Sequence, residues 1–149
     1  MKKDGTIYDG EFNIDFKYEG YGSIKYSTND FYVGEWSQGM QNGFGTIKYE
    51  NGETYEGYFC VGAKQGKGTM TYCNGDIYKG NFTMNKRNGF GEIKYNNGES
   101  YIGEWHNDLF GGKGTMVFTN GNRIEGTWCN GLLIKNSSKY SPINDSKNE

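Results

Sequence analysis

Through most of the chain, apolar and polar residues alternate in short runs. Tyr32, Gly34 and Trp36 alternate with Val33 and Glu35, and Gly45, Ile47 and Tyr49 alternate with Thr46 and Lys48. A period of two is the mark of a strand with one apolar face, so each pair of runs predicts two short strands. The pair then recurs: Tyr32, Tyr55, Tyr78 and Tyr101 are spaced by 23 residues, Ile124 keeps that spacing, and Tyr8 precedes Tyr32 by 24. Each is followed by a glycine (Gly10, Gly34, Gly57, Gly80, Gly103, Gly126) and then a large aromatic (Phe12, Trp36, Phe59, Phe82, Trp105, Trp128). A Gly-x-Gly pair follows, as at Gly43/Gly45 and Gly66/Gly68, and four residues later a further ring: Tyr26, Tyr49, Tyr72, Tyr95 or Phe118. A period of this length implies an array built by stacking neighbours, with no single central core.

The connections can be read from parity. The second strand of each unit runs into Asn-Gly, at Asn51-Gly52, Asn74-Gly75, Asn97-Gly98 and Asn120-Gly121. A two-residue loop would turn the apolar faces of the two strands in opposite directions. A three-residue loop, Glu50-Asn51-Gly52, sets Ile47 opposite Tyr55 and Gly45 opposite Gly57, so that all rings share one side. The expected turn is therefore type I closed by a G1 bulge, with Asn29 replacing the left-handed glycine in the first unit. The other connection, Ser37 to Asn42, reads as a loop. Gly39, Gly62, Asn85, Asp108 and Gly131 recur in it, all residues that tolerate a left-handed backbone.

These elements amount to about eleven strands over residues 4–132, five full units with partial units at both ends, forming a sheet on the order of 50 Å long. Residues 133–149 are rich in Ser, Asn, Lys and Asp and read as a disordered polar tail. Glycine weakens strands. The periodic glycines within these strands must therefore leave a bare channel over which rings lie. The opposite face reads as polar, with Lys25, Lys48 and Lys94 near Glu35, Glu56 and Glu104. Near the hairpin tips, on the aromatic side, Asp30, Glu53, Asp76 and Glu99 form an acidic row one repeat apart. Turn chemistry accounts for such residues, and so does a negative border on a binding groove.

The pattern Y-x-G-x-W/F, then G-x-G-x-x-x-Y, then N-G resembles the MORN repeat (membrane occupation and recognition nexus), over about residues 4–132. The resemblance implies an all-β fold, an elongated, twisted, single-layer antiparallel sheet of consecutive hairpins. It also implies a scaffold. Members of that family sit at junctional membranes, organise cytoskeletal rings, or precede catalytic domains in lipid kinases and a SET-domain methyltransferase. In size the chain is similar to the small stand-alone retinophilin type, which binds tails of class III myosins.

Composition narrows the function further. Rings make up 17% of the 149 residues and Leu, Ile and Val are scarce, so aromatics must supply the buried surface. A net charge of −2 does not favour nucleic acid or an anionic membrane. No apolar run could span a bilayer and no signal sequence is evident, so the expected location is cytoplasmic, peripheral to membrane or cytoskeleton. Cys60, Cys73 and Cys129 lack metal or disulfide spacing, His106 stands alone, and Gly112-Lys113-Gly114-Thr115 lacks phosphate-loop spacing. No enzyme activity, cofactor or metal is expected. The expected function is an interaction scaffold. Its groove floor is Tyr32, Trp36, Tyr55, Phe59, Tyr78, Phe82, Tyr101 and Trp105, bordered by Asp30, Glu53, Asp76 and Glu99. A basic or amphipathic segment of a cytoskeletal, motor or membrane-associated protein suits such a surface, with Trp36, Phe59, Phe82 and Trp105 as contacts. The alternatives are phosphoinositide binding through Lys64, Lys67, Lys86, Arg87 and Lys113, a homodimer through terminal strands, and a targeting fragment of a larger enzyme.

Overall fold

The computed structural model describes residues 5–137, and every alternating run in them is a strand. The order is β1 (Ile7–Phe12), β2 (Tyr18–Lys25), β3 (Phe31–Ser37), β4 (Met40–Lys48), β5 (Thr54–Cys60) and β6 (Ala63–Thr71). It continues with β7 (Ile77–Thr83), β8 (Lys86–Lys94), β9 (Ser100–His106), β10 (Leu109–Val117), β11 (Arg123–Cys129) and β12 (Leu132–Asn136). All lie in one 12-stranded antiparallel sheet whose spatial order is the chain order. That is one strand more than the pattern implies. Residues 132–136, mostly assigned to the polar tail, pair with β11 through Trp128↔Leu133 and Thr127↔Lys135. The rest of the expected tail, 138–149, and the turn residue Asp4 lie outside the described residues.

The Asn-Gly connections are the expected three-residue loops. The Tyr49 N–H donates to Glu53 O at 2.9 Å and the Gly52 N–H to Tyr49 O at 3.0 Å. Gly52 has φ +89° and Asn29, its counterpart in the first unit, +68°. Register follows: Ile47↔Tyr55 and Gly45↔Gly57 are direct partners.

The other connections are tighter than the expected Ser37–Asn42 loop. Two residues suffice, and both are left-handed: Gln38 and Gly39 at +52° and +83°, Val61 and Gly62 at +49° and +76°, Met84 and Asn85 at +47° and +68°. Asn107–Asp108 and Asn130–Gly131 repeat this geometry. Such type I′ turns match the right-handed twist of the strands they join. The surplus residues go into a bulge. Between the pairs Gly34↔Gly45 and Trp36↔Gln41, Glu35 alone faces Asn42, Gly43 and Phe44. Two extra residues preserve parity, so alternation alone could not reveal the bulge. Gly43 takes φ +104° there, and the Glu35 carboxylate accepts the freed Phe44 N–H at 2.9 Å. The first hairpin differs in having a 13–17 loop. The Asn13 side chain accepts N–H bonds from Asp15 and Lys17 at 3.0 Å, leaving Ile14 and Phe16 exposed.

The glycines line up across the sheet. Gly10, Gly22, Gly34, Gly45, Gly57, Gly68, Gly80, Gly91, Gly103, Gly114 and Gly126 are successive cross-strand partners. Over this bare row lie the repeat tyrosines. A Cβ on Gly57 would come within 2.6 Å of the Tyr55 hydroxyl, and one on Gly68 within 2.5 Å of the Tyr55 ring carbon Cζ. Each tyrosine thus lies along its own strand, and its hydroxyl donates to the carbonyl three residues on. Tyr32 reaches Glu35 O at 2.9 Å, Tyr55 reaches Tyr58 O at 2.9 Å, Tyr78 reaches Asn81 O at 2.9 Å and Tyr101 reaches Glu104 O at 3.0 Å. The acceptors are the carbonyls at the bulges, which explains why tyrosine and not phenylalanine recurs. We expect Tyr55→Phe to keep the ring packing but orphan the Tyr58 carbonyl, lowering stability by about 1–2 kcal/mol in urea unfolding. An unchanged midpoint would refute that role.

Between tyrosines stand the strand-end aromatics, edge to face with both neighbours. Trp36, Tyr32, Phe59, Tyr55, Phe82, Tyr78, Trp105, Tyr101 and Trp128 form one unbroken ladder with centroids 5.1–5.6 Å apart. Each such pair contributes roughly 0.5–1.5 kcal/mol beyond simple burial. The tryptophans add a bond across strands: Trp36 Nε1 donates to Gly22 O at 3.0 Å and Trp105 Nε1 to Gly91 O at 3.1 Å.

The opposite face is less polar than expected. Tyr21, Phe44, Tyr58 and Phe90 stand exposed on it. Lys94 lies 3.8 Å from Glu92, not beside Glu104.

Candidate functional site

The eight rings assigned to a groove floor are the core of the sheet. Tyr32, Tyr55, Tyr78 and Tyr101 have no exposure at all, and Trp36, Phe59, Phe82 and Trp105 have 3–6%. A ring without surface cannot be what a partner first meets, so the expectation that the strand-end four make the main contacts is corrected. Only slivers of Trp36 and Trp105 reach surface depressions.

A second layer covers those rings, and of its members the sequence marked only Lys64 and Arg87, as part of a cationic patch. Tyr18, Gln41, Lys64, Arg87 and Phe110 occupy one repeat position, Tyr18 just after the 13–17 loop and the other four just after a type I′ turn. The tight turn sets them opposite the strand-end aromatics: Trp36↔Gln41, Phe59↔Lys64, Phe82↔Arg87, Trp105↔Phe110. Phe110 stacks on Tyr101 and Tyr18 on Tyr8, each at 3.8 Å. Lys64 Nζ lies 5.2 Å from the Tyr55 centroid and 5.1 Å from that of Tyr49. The Arg87 guanidinium lies 4.4 Å from the Trp105 centroid and 5.7 Å from that of Tyr78. The residue type changes at every repeat, so no periodic signal marks the position. Only the strand register exposes it.

Accessible aromatic surface on this side includes one half-buried ring per repeat, Tyr26, Tyr49, Tyr72 and Tyr95, besides the exposed Phe12 at the first strand. The acidic row runs beside them, half-buried as well. Its two aspartates brace the array: Asp30 Oδ1 accepts the Glu50 N–H and Asp76 Oδ1 the Asn96 N–H, both at 2.9 Å, each reaching into the next repeat's turn. Among the described residues the glutamate carboxylates make no such link. That of Glu99 accepts from Asn97 Nδ2 at 3.2 Å, within its own turn. Rings and carboxylates meet in a depression of about 490 Å³, where Glu53, Asp76 and Asp108 surround Tyr72, Tyr95 and Arg87. A second, of about 480 Å³, holds Tyr26, Asp30 and Gln41.

Electrostatics keeps these phenols neutral. Burial, aided by the charges of Asp30 and Glu53, pushes the Tyr49 hydroxyl up to about 12. Burial also raises Tyr72 and Tyr95, with Arg87 opposing it in both. The row can therefore present π faces and hydroxyls to a cation, with carboxylates alongside.

The other expected sites are scattered. Lys64 and Arg87 lie on the aromatic face. Lys67 and Lys113 pair with Asn81 and Thr127 in the register of the opposite face, and Lys86 begins β8. No single cationic patch joins them. His106 is exposed with Nε2 3.4 Å from Asn107 Nδ2, and Cys60, Cys73 and Cys129 are exposed thiols.

Comparison with protein families finds the MORN repeat at residues 32–54, 55–77, 78–100 and 101–123. No curated protein matches the chain. Among solved structures, the TCP domain of SAS-4 from Drosophila melanogaster, in complex with a proline-rich motif of Ana2, is 15% identical. The alignment covers 85% of this chain and 87% of that one, with a TM-score of 0.47.

Proposed function

Because the chain belongs to the MORN-repeat family, with consecutive repeats spanning residues 32–123, we propose that it is a non-catalytic scaffold docking a basic segment of a cytoskeletal, motor or membrane-associated protein. One observation carries this reading: a row of half-buried tyrosines runs directly beside a row of carboxylates on a single face. Lysine or arginine side chains laid along the row would meet a ring face and a carboxylate in each repeat. Aromatic contacts of this kind contribute about 0.5–2 kcal/mol apiece, and the acidic border would speed association and make it salt-sensitive. The phosphoinositide alternative needs a shared cationic surface, and the five basic residues are divided between two faces.

The test uses the two border residues that do not brace a neighbouring turn. Glu53→Gln together with Glu99→Gln should leave the fold intact. In affinity purification from the native cell, the double variant should lose its principal protein partner, as should the unaltered chain at high salt. Tyr72→Ala with Tyr95→Ala should abolish capture. The same partner retained by all three proteins at all salt concentrations would sink the proposal.

A further inference from the structure

Lys64 and Arg87 are the two cations of the covering layer, and they differ in one respect. The turn residue 21 positions later docks onto each backbone in the same way. The Asn85 N–H donates to Lys64 O at 3.1 Å while the Lys64 N–H donates to Asn85 Oδ1 at 2.9 Å. The Asp108 N–H donates to Arg87 O at 3.0 Å while the Arg87 N–H donates to Asp108 Oδ1 at 2.9 Å. Asp108 then brings a charge as well: Arg87 Nε lies 3.2 Å from its Oδ1. Asn85, holding the equivalent place, brings none. Among the described residues, Lys64 Nζ forms no ion pair, and its hydrogen-bond contact is the Met70 sulfur at 3.9 Å.

We propose that Lys64 is an anion subsite, receiving the carboxylate of an aspartate or glutamate in the docked segment. The inference rests on the reading of this face as a docking groove and sharpens it: the segment is basic with an acidic residue placed over the Tyr49 and Tyr55 rings. A half-buried ammonium on aromatic rings is a partly desolvated cation, for which a carboxylate offers a stronger contact than the rings do. Burial holds Lys64 below its usual value, against the opposing influence of Glu53 and Asp108. An arriving carboxylate relieves that penalty. Along the acidic border a second carboxylate would be repelled, so Lys64 also fixes the position at which a bound segment is read.

A random peptide library displayed on phage tests this, selected in parallel on the whole chain, on Lys64→Met and on Asn85→Asp. The last variant gives Lys64 the internal counter-charge that Asp108 gives Arg87. Asp108 itself holds φ +70° at that position, so the exchange suits the turn. Peptides selected by the unaltered chain should carry one Asp or Glu among Lys and Arg, and that acidic preference should vanish in both variants. A synthetic selected peptide with its acid changed to the amide should bind the unaltered chain about tenfold more weakly and Lys64→Met with unchanged affinity. Basic peptides without an acidic position, or the same acidic preference in all three selections, would overturn the subsite and leave the docking groove standing. Failure to select basic peptides on any of the three proteins would overturn both. Far-ultraviolet circular dichroism and melting confirm that the variants are folded before selection.

Discussion

Gly57→Val is expected to disrupt the middle of the sheet, with a loss of more than about 3 kcal/mol, the upper range for overpacking a closed interior. A Cβ at Gly57 would meet backbone: Gly68 Cα at 2.5 Å and Lys67 O at 2.6 Å, with the Tyr55 hydroxyl also at 2.6 Å. Backbone of a paired strand cannot step aside as a flexible side chain can, and Tyr55 is held by its bond to Tyr58 O. The ring must leave its place, and it edge-contacts both Phe59 and Phe82. In an array stabilised by neighbours, one displaced rung weakens the rungs on either side. Gly52→Ala separates this effect from glycine's backbone freedom. Nothing lies within 4 Å of a Cβ there, and only the φ of +89° opposes the change, at a cost of about 1–2 kcal/mol. Urea unfolding followed by circular dichroism measures both. Gly57→Val with stability at or above that of Gly52→Ala would contradict the account of the glycine row.

Alkali should unfold the protein cooperatively, starting just above the ordinary tyrosine pKa. Burial pushes the hydroxyl of Tyr101 up to about 12 and those of Tyr32, Tyr55 and Tyr78 higher still. For an acid raised in the folded state, the native chain keeps protons that the unfolded chain has released. Stability is therefore complete below the ordinary phenol pKa of about 10 and falls as pH rises from there toward the folded value. Each such phenol removes about 1.4 kcal/mol per pH unit. With four acting together against a typical stability of roughly 5–15 kcal/mol, the sheet should collapse within about two pH units above 10. Tyrosinate absorbance and strand circular dichroism should change in one shared, steep transition. Gradual ionisation near 10 with the strand signal intact would show that the rings are not held as described.

Much of this was legible in the chain. Alternation identified the strands except β12, which is exposed along its whole length and shows no buried face. Parity chose the three-residue Asn-Gly loop, because only that length brings Ile47 opposite Tyr55. The glycine row followed from spacing alone, since residues at matched repeat positions become cross-strand partners once parity holds. The MORN resemblance pointed to the same single sheet, and residues 32–123 match that family. The turn after β3 was not legible. A two-residue turn with a bulge of two surplus residues and a longer open loop preserve the same alternation, and only hydrogen bonding separates them.

The candidate site divides along the same line. Sequence alone determined which residues share a face, because strand periodicity is a local property of the backbone. It therefore placed the tyrosines and the acidic row on one side. It could not determine depth. Which rings are sealed and which remain open depends on what the neighbouring strand lays over them, and that depends on the unseen bulge. Tertiary structure thus sent Trp36, Phe59, Phe82 and Trp105 into the core and left Tyr49, Tyr72 and Tyr95 at the surface. It also set Lys64 and Arg87 over the buried rings and, among the described residues, gave an ion pair to Arg87 and not to Lys64, because burial and pairing arise between strands and not along them.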